Sequence, residues 1–469
     1  MTAVAVIGAG FSGTLLALHL LRRCPPWVRV HLIEKNRSFG RGLAYSTGNP
    51  SHLLNVPAAR MSAFSDQPHH FVDWLHEEGP GEGQVDASSF IERNVFGSYI
   101  RHLLNSELKS AGKSRLVLSR GEVTGIEAAG EELALCLDGR RIAADVAVLA
   151  VGNFPPEAPP VADPSFYNGP WYRPDPWAAD TLTELDPAAS VLLIGTGLTM
   201  VDTVISLLDQ GHIGPITALS RRGLLPRRHA PAKNLPLLGQ SVPTTIASLL
   251  RFMRREVARV EAAGGDWRSV VDGLRPALQD IWQRMDAPNR ARFVRHLRPW
   301  WDVHRHRIPS AVADRIERAQ RSGQLYVGAA RIRNYRIADG RVEVAIQSRS
   351  FVPSAAYRVA RVINCSGPGC DYDRIRTPLV RRLLEEGQIR PDPLRLGLDV
   401  TPQCALINRD GEISRRLYAV GPATKAVFWE MTSVPDIRRQ CETVAAHIAS
   451  LMGTVEAKAW APVRRTRVV

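Results

Sequence analysis

A chain of 469 residues with 45% apolar side chains is long enough for about two to four domains with buried cores. Its formal net charge of +14 would suit nucleic acid, a membrane surface or anionic ligands. The arginines are spread over helical segments, with no zinc-finger, basic-zipper or RNA-binding pattern, so no nucleic-acid partner is expected. No run of about 18 apolar residues exists to cross a membrane. The apolar N-terminus has no basic stretch ahead of it, and six scattered cysteines fit reduced thiols. The expectation is a soluble, cytoplasmic protein with no membrane partner.

In chain order, Val4-Ala5-Val6-Ile7 runs into Gly8-Ala9-Gly10-Phe11-Ser12-Gly13 and then an apolar helix pattern. Strand, G-x-G-x-x-G turn and helix together read as a dinucleotide cradle. Gly8 allows the sharp turn, Gly10 lets a pyrophosphate approach the backbone, and Gly13 lets helix and strand pack closely. The helix N-terminus offers free N–H groups and a positive dipole end to phosphate. A second strand, Val28–Ile33, ends in Glu34, an acid placed to accept bonds from a ribose 2′-hydroxyl. A glycine-containing segment, Phe39–Tyr45, follows, then Leu53–Ala58 with its proline.

Periodicity predicts helices over 67–78 and 88–112. Short strands follow at 115–118, 123–126 and 133–137, with a hairpin turn at Asp138-Gly139. A buried strand, Asp145–Val151, closes at Gly152-Asn153, ahead of a proline-rich break.

The plan then restarts. Val191–Ile194 leads into Gly195-Thr196-Gly197-Leu198-Thr199-Met200, and a strand at 216–220 ends in Arg221-Arg222 rather than an acid. Residues 224–324 read as a helical insertion, with helices over 242–261, 267–285 and 289–297. Strands at 325–327, 342–346 and 360–364 complete the second copy. Leu417–Val420, ending at Gly421-Pro422, and a helix over 436–451 finish the chain. The fold class is α/β: two Rossmann-like dinucleotide-binding domains, each with a small antiparallel β layer, plus the insertion. The domains are 1–160 with 366–469, and 186–365.

This arrangement resembles the two-dinucleotide-binding-domain flavoproteins, over nearly the whole chain. It is similar to a bacterial group of FAD/NAD(P)-binding proteins in four runs: Phe39–Tyr45 (FGRGLAY), Leu53–Ala58 (LLNVPA), His296–Arg307 (HLRPWWDVHRHR) and Trp429–Arg438 (WEMTSVPDIR). More distantly it resembles flavin N-hydroxylating and Baeyer–Villiger monooxygenases. The resemblance implies that Gly8, Gly10, Phe11, Ser12 and Gly13 hold the FAD pyrophosphate and Glu34, with Lys35 beside it, the adenosine ribose. It puts Arg41, Gly42, Leu43, Asn55 and Val56 on the flavin side and Val123 at the adenine, with Gly152, Asn153 and Gly421 completing the site. Relatives carry Gly-Asp where this chain has Gly421-Pro422, so the ribityl contact must come from elsewhere. Trp429 and Glu430 either line the pocket or fill the core.

In the second copy Gly195, Gly197, Leu198 and Thr199 would cradle a nicotinamide dinucleotide. Met200, in place of a third glycine, loosens the packing there. Arg221 and Arg222 favour a 2′-phosphate, and so NADPH over NADH. Cys365 and Cys370 have the C-x4-C spacing of some disulfide reductases but lie in the wrong copy, and are expected to be structural. His304 and His306 near Asp302 are expected to pack rather than bind a metal. No metal is expected and no catalytic side chain is assigned. The implied activity is an FAD-dependent NADPH oxidoreductase, monooxygenase-like on a small substrate such as an amine. Alternatives are an NAD(P)H:acceptor oxidoreductase and a non-catalytic flavoprotein sensor.

Overall fold

The computed structural model describes residues 2–79, 85–112, 114–232, 242–348 and 357–453. The chain divides into two units. One is built from residues up to Pro50, Val56–Phe154 and the chain from Cys370 on; the other from Ser51–Asn55 and Pro155–Gly369.

The first unit opens with β1 (Ala3–Ile7), α1 (Phe11–Arg23) and β2 (Arg29–Glu34). Every residue of β1 is buried, as its unbroken apolar run requires of a strand covered on both faces. Helices α2 (His70–Glu77) and α3 (Arg93–Ala111) occupy the crossover to β3 (Leu116–Arg120). They pack through rings: Phe71 lies 4.9 Å from Tyr99 and 5.2 Å from Phe96. An antiparallel layer follows, of β4 (Val123–Ala129), β5 (Glu132–Leu137) and β6 (Arg140–Ala144). Asp138 and Gly139 both take positive φ between β5 and β6, the backbone of a type I′ hairpin turn. Strand β7 (Val146–Leu149) then returns beside β1, with Val146 opposite Val4.

The second unit contains β8 (Tyr172–Arg173), β9 (Val191–Ile194), α4 (Leu198–Asp209) and β10 (Ile216–Ser220). The insertion supplies α5 (Ile246–Ala262), α6 (Trp267–Gly273), α7 (Leu278–Arg284), α8 (Ala287–Arg292) and α9 (Arg298–Arg305). Then come α10 (Ser310–Arg321), β11 (Leu325–Ala338), β12 (Arg341–Ser348), β13 (Tyr357–Val359) and β14 (Arg361–Asn364). Part of the expected insertion, 233–241, lies outside the described residues.

Two expectations are corrected here. The helix expected over 267–285 breaks at a turn containing Pro276, because proline has no N–H and clashes with the preceding turn. The insertion ends before 324: α10 lays Val312, Ala313 and Ile316 against Val201 and Val204 of α4, so it is the crossover helix of the βαβ unit. The antiparallel layer expected in the second copy is formed by the far half of β11 with β12 and β13, and it is continuous with the parallel strands. Strand β11 runs 14 residues, first parallel to β10 and then, from Ala330, antiparallel to β12. One sheet results, in the order β13-β12-β11-β10-β9-β14-β8.

The chain finishes in the first unit with α11 (Pro378–Glu385), β15 (Ala405–Ile407), β16 (Ile413–Ala419) and α12 (Val434–Leu451). Its sheet order is β15-β16-β7-β1-β2-β3, with Leu417 of β16 opposite Ala147 of β7. Residues 150 and more positions apart therefore share one core, including Leu149, Leu406 and Ala419.

Candidate functional site

In the first turn two glycines are sterically obligatory. A Cβ on Gly13 would lie 1.8 Å from the Gly8 carbonyl oxygen, and one on Gly8 (φ +103°) 2.4 Å from that of Ala150. Gly10 has a different reason: its missing Cβ faces the Gly42 Cα at 3.4 Å, and a Cβ on Gly42 would come within 2.9 Å of the Gly10 Cα. The 40–42 loop thus lies against the turn, tied by Gly40 N–H donating to the Ala9 oxygen at 2.8 Å. Gly40 and Gly42, the glycines of the Phe39–Tyr45 run, make this close backbone approach. The start of α1 has no side-chain cap and no acid in its first turn, which leaves backbone donors for an anion.

Glu34 is buried and holds the turn. Its Oε2 accepts the Ala9 N–H at 2.8 Å, and its Oε1 accepts the Asn36 N–H and side-chain amide at 2.9 and 3.0 Å. A carboxylate has about four acceptor sites, so one remains for a hydroxyl. Lys35 pairs with Glu122 at 3.5 Å beside an open pocket of about 590 Å³ lined by Lys35, Asn36, Arg120, Gly121, Glu122 and Asp138. The Phe11 ring points into the aromatic core, 5.8 Å from Phe96, so it offers a ligand only its backbone. Ser12 is buried, and a Cβ on Gly421 (φ +73°) would meet its Oγ at 2.6 Å, which places the return loop at the start of α1.

Arg41 donates from Nη2 to Ser98 Oγ at 3.0 Å, and burial with the neighbouring Arg101 lowers its pKa. Leu43 is exposed and Val56 half-buried. Val123 turns its side chain into the core. Gly152 (φ +69°) has nothing within 4 Å of its Cβ position, and Asn153 is exposed. Asn55, expected alongside these, belongs to the second unit, where its carbonyl bonds His229 Nε2 at 3.0 Å.

The second turn repeats the geometry with less cover. Gly195 (φ +106°) would place a Cβ 2.4 Å from the Cys365 oxygen, whereas Gly197 has nothing within 4 Å. Helix α4 also lacks a side-chain cap and an acid in its first turn; Leu198 and Thr199 stand there half-buried. Thr196 Oγ1 ties the turn to Ser220 Oγ at 2.9 Å and to the Leu224 oxygen at 2.6 Å. The two arginines part company. Arg222 donates to the His296 oxygen at 3.1 Å and lies 5.9 Å over the Trp300 ring, while Arg221 is exposed.

Residues 5–154 match the profile of a family described as FAD-NAD(P)-binding. They form an FAD/NAD(P)-binding domain. No curated protein matches the chain. Among solved structures it is similar to an ornithine N-hydroxylase from Kutzneria sp. 744, at 15% identity and TM-score 0.63, over 96% of this chain and 99% of that one. It is also similar to DfoA, a cadaverine monooxygenase from Erwinia amylovora, at 13% identity and TM-score 0.63, over 99% and 96%. A bacillithiol disulfide reductase from Staphylococcus aureus matches at 11% identity and TM-score 0.55, over 96% and 99%. Identities this low establish the shared fold of two dinucleotide-binding domains.

Beyond the FAD/NAD(P)-binding domain, Cys365 is buried beside Thr203 Oγ1 at 3.4 Å, and burial pushes its thiol up to about 12. A thiol held neutral is a poor nucleophile. None of the six cysteines is in a disulfide. His304 lies on α9, with Nδ1 donating to the Trp300 oxygen at 2.7 Å and its ring 4.8 Å from Trp267. Among the described residues no three His, Cys, Asp or Glu side chains gather to hold a metal, and no helix is long and apolar enough to cross a membrane. Trp429 and Glu430 are buried at 1% and 2% exposure. The sequence reading missed Gln440, whose amide accepts the Gly421 N–H at 2.7 Å and donates to Thr424 Oγ1 at 2.8 Å. A glutamine inside an apolar helix pattern was its signal.

Proposed function

We propose that this protein is an FAD-dependent NADPH oxidoreductase that hydroxylates a small amine. The carrying observation is two glycine turns of one build in a single chain, the first followed by Glu34 and the second by Arg221-Arg222. Flavin, when bound, would supply the redox chemistry between a nicotinamide and oxygen. The chain's own residues bind and orient. The Gly8–Gly13 turn and the N–H groups opening α1 hold the FAD pyrophosphate, Glu34 holds a ribose hydroxyl, and the Lys35–Asp138 pocket takes the adenine end beside Val123. Arg41, Gly42, Leu43, Val56, Gly152, Asn153 and Gly421 are assigned to the remainder of the flavin site. Gly195, Gly197, Leu198 and Thr199 carry the NADPH pyrophosphate, and Arg221 its 2′-phosphate.

The balanced reaction takes amine, O2, NADPH and a proton to hydroxylamine, water and NADP+. Relatives by fold named as an ornithine N-hydroxylase and a cadaverine monooxygenase support the amine. The buried, proton-retaining Cys365 tells against disulfide reduction. The test is anaerobic reduction of the purified yellow protein by NADPH, then admission of air with a panel of primary amines. Hydroxylamine formed in step with NADPH consumption supports the reading. Peroxide in step with NADPH whatever the amine would assign an oxidase or acceptor reaction, and a protein that binds no flavin refutes the proposal outright.

A further inference from the structure

We propose that the helical insertion supplies a stacking platform, Trp300, for the adenine of the NADPH seated on the second turn. This rests on the function proposed above. The adenosine half of a dinucleotide lies beyond the end of the fold's second strand, where an acid or an arginine meets the ribose. In this unit that position is Arg221-Arg222, directly after β10.

Arg222 fastens the insertion there. Its Nη2 bonds the His296 oxygen at 3.1 Å, and its guanidinium carbon sits 5.9 Å over the Trp300 ring. His296 lies in a π-helical turn, Phe293–Leu297, a backbone irregularity that occurs frequently at functional sites. Trp300 follows in the first turn of α9 and is 44% exposed.

The helical turn that carries Trp300 is tied at its backbone, and Arg222 lies over the ring itself. The Trp300 carbonyl accepts from His304 Nδ1 at 2.7 Å, and the His304 ring is pinned by Trp267 at 4.8 Å. A large aromatic surface, beside a cation and left open to solvent, suits a purine: stacking is tolerant of the base and strong for indole. The insertion would then recognise the adenine while Arg221 recognises the 2′-phosphate, so the two contributions separate by ligand.

The test is calorimetric binding to the FAD-loaded protein of adenosine 2′,5′-bisphosphate and of adenosine 5′-phosphate. Trp300→Ala should weaken both about five- to a hundredfold, as for loss of one base stack. Trp300→Phe should keep most of the affinity, and Trp300→Leu, which retains apolar bulk without a π-face, should lose it even if the alanine variant fails to fold. Arg221→Ala should weaken only the 2′-phosphorylated ligand. Unchanged affinities in W300A and W300L beside a selective loss in R221A would overturn the platform and leave the function standing. A loss in Arg222→Ala equal to that in W300A would assign the effect to Arg222 and also overturn it. Wild-type protein that binds neither ligand would overturn the NADPH reading itself.

Discussion

Alanine at Gly195 and at Gly197 should have opposite consequences, although the residues are two apart in one turn. Gly195 has φ +106°, and a Cβ there would sit 2.4 Å from the Cys365 oxygen and 2.8 Å from its carbonyl carbon, all backbone of β14's end. The left-handed conformation costs about 1–2 kcal/mol and the overlap about 1–3 kcal/mol more. The sum, about 2–5 kcal/mol, is a large share of the about 5–15 kcal/mol that holds an ordinary domain. It should lower the melting temperature of the second unit by roughly 4–20 °C. Gly197 has φ −87° and open space around its Cβ position, so alanine should fold with a change within about 1 kcal/mol. On the proposed placement of the NADPH pyrophosphate, the added methyl instead stands between phosphate oxygens and the opening N–H groups of α4. Gly197→Ala should therefore keep its melting temperature and FAD content while its NADP+ affinity by calorimetry falls at least about tenfold, since one charge-assisted hydrogen bond is worth about 1.5–3 kcal/mol. A Gly197→Ala protein with wild-type NADP+ affinity would refute the placement of the phosphates on this turn. A Gly195→Ala protein of wild-type stability would refute the steric argument.

Arg221→Ala should cut the preference for NADPH over NADH about tenfold or more in flavin-reduction kinetics; Arg222→Ala should change it less, because Arg222 is already engaged by His296 and Trp300. His19 is 1% exposed, and burial, then Arg22, Arg23 and Arg438, hold its pKa at about 3. The unfolded chain takes up this proton near pH 6.5 and the folded one does not, so stability present above pH 6.5 is lost as pH falls towards 3. The loss reaches about 2 kcal/mol at pH 5, an upper bound because Glu442 lies 4.0 Å from the ring. Urea midpoints at pH 7 and pH 5 should converge in His19→Gln, and an unchanged gap would refute the assignment. Arg307 is 4% exposed, with Nη2 2.5 and 2.7 Å from the two oxygens of Asp272. Asp272→Asn should cost about 3–5 kcal/mol in urea unfolding by leaving a buried charge unpaired, and a loss under about 1 kcal/mol would show that solvent reaches the guanidinium.

What was legible in the sequence depended on range. Gly8 and Gly13 could be read because their steric partners, the turn itself and the closing strand, recur wherever a strand bends into a helix over phosphate. Pro276 carried its helix break in plain view, yet the apolar pattern on either side bridged it. Helix α11 buries Leu379, Val380 and Leu383 in one stripe, but at eight residues opened by Pro378 it spans too few turns for periodicity to mark it. Strand β11 could not be recovered from alternation alone: Ala329, Ala330 and Arg331 pass from a parallel to an antiparallel neighbour, and that change is written in the partners. The same holds for the site. Nothing local in Gly10 names Gly42 as the residue it faces, and nothing in Arg222 names His296, 74 positions away.

The two turns also differ in a way that bears on which ligand stays. In the first, the 40–42 loop lies against Gly10 and the Gly421 return loop against Ser12, each at a distance only glycine permits. In the second, the Cβ position of Gly197 is open among the described residues, and Met200 is fully buried where the first turn has Gly13. A ligand flanked by two further backbone segments loses more contacts on leaving than one seated on a single turn, and differences in affinity between related sites reside mostly in the dissociation rate. Build alone therefore supports FAD as the resident group of the first turn and NADPH as the exchanging one of the second. On that argument, opening the first turn's surroundings, as Gly42→Ala would by pressing on the Gly10 Cα at 2.9 Å, should show itself as flavin lost during gel filtration. NADP+ affinity should stay unchanged in protein reconstituted with excess FAD. Retention of full FAD through the column would refute the assignment of the first turn as the closed one.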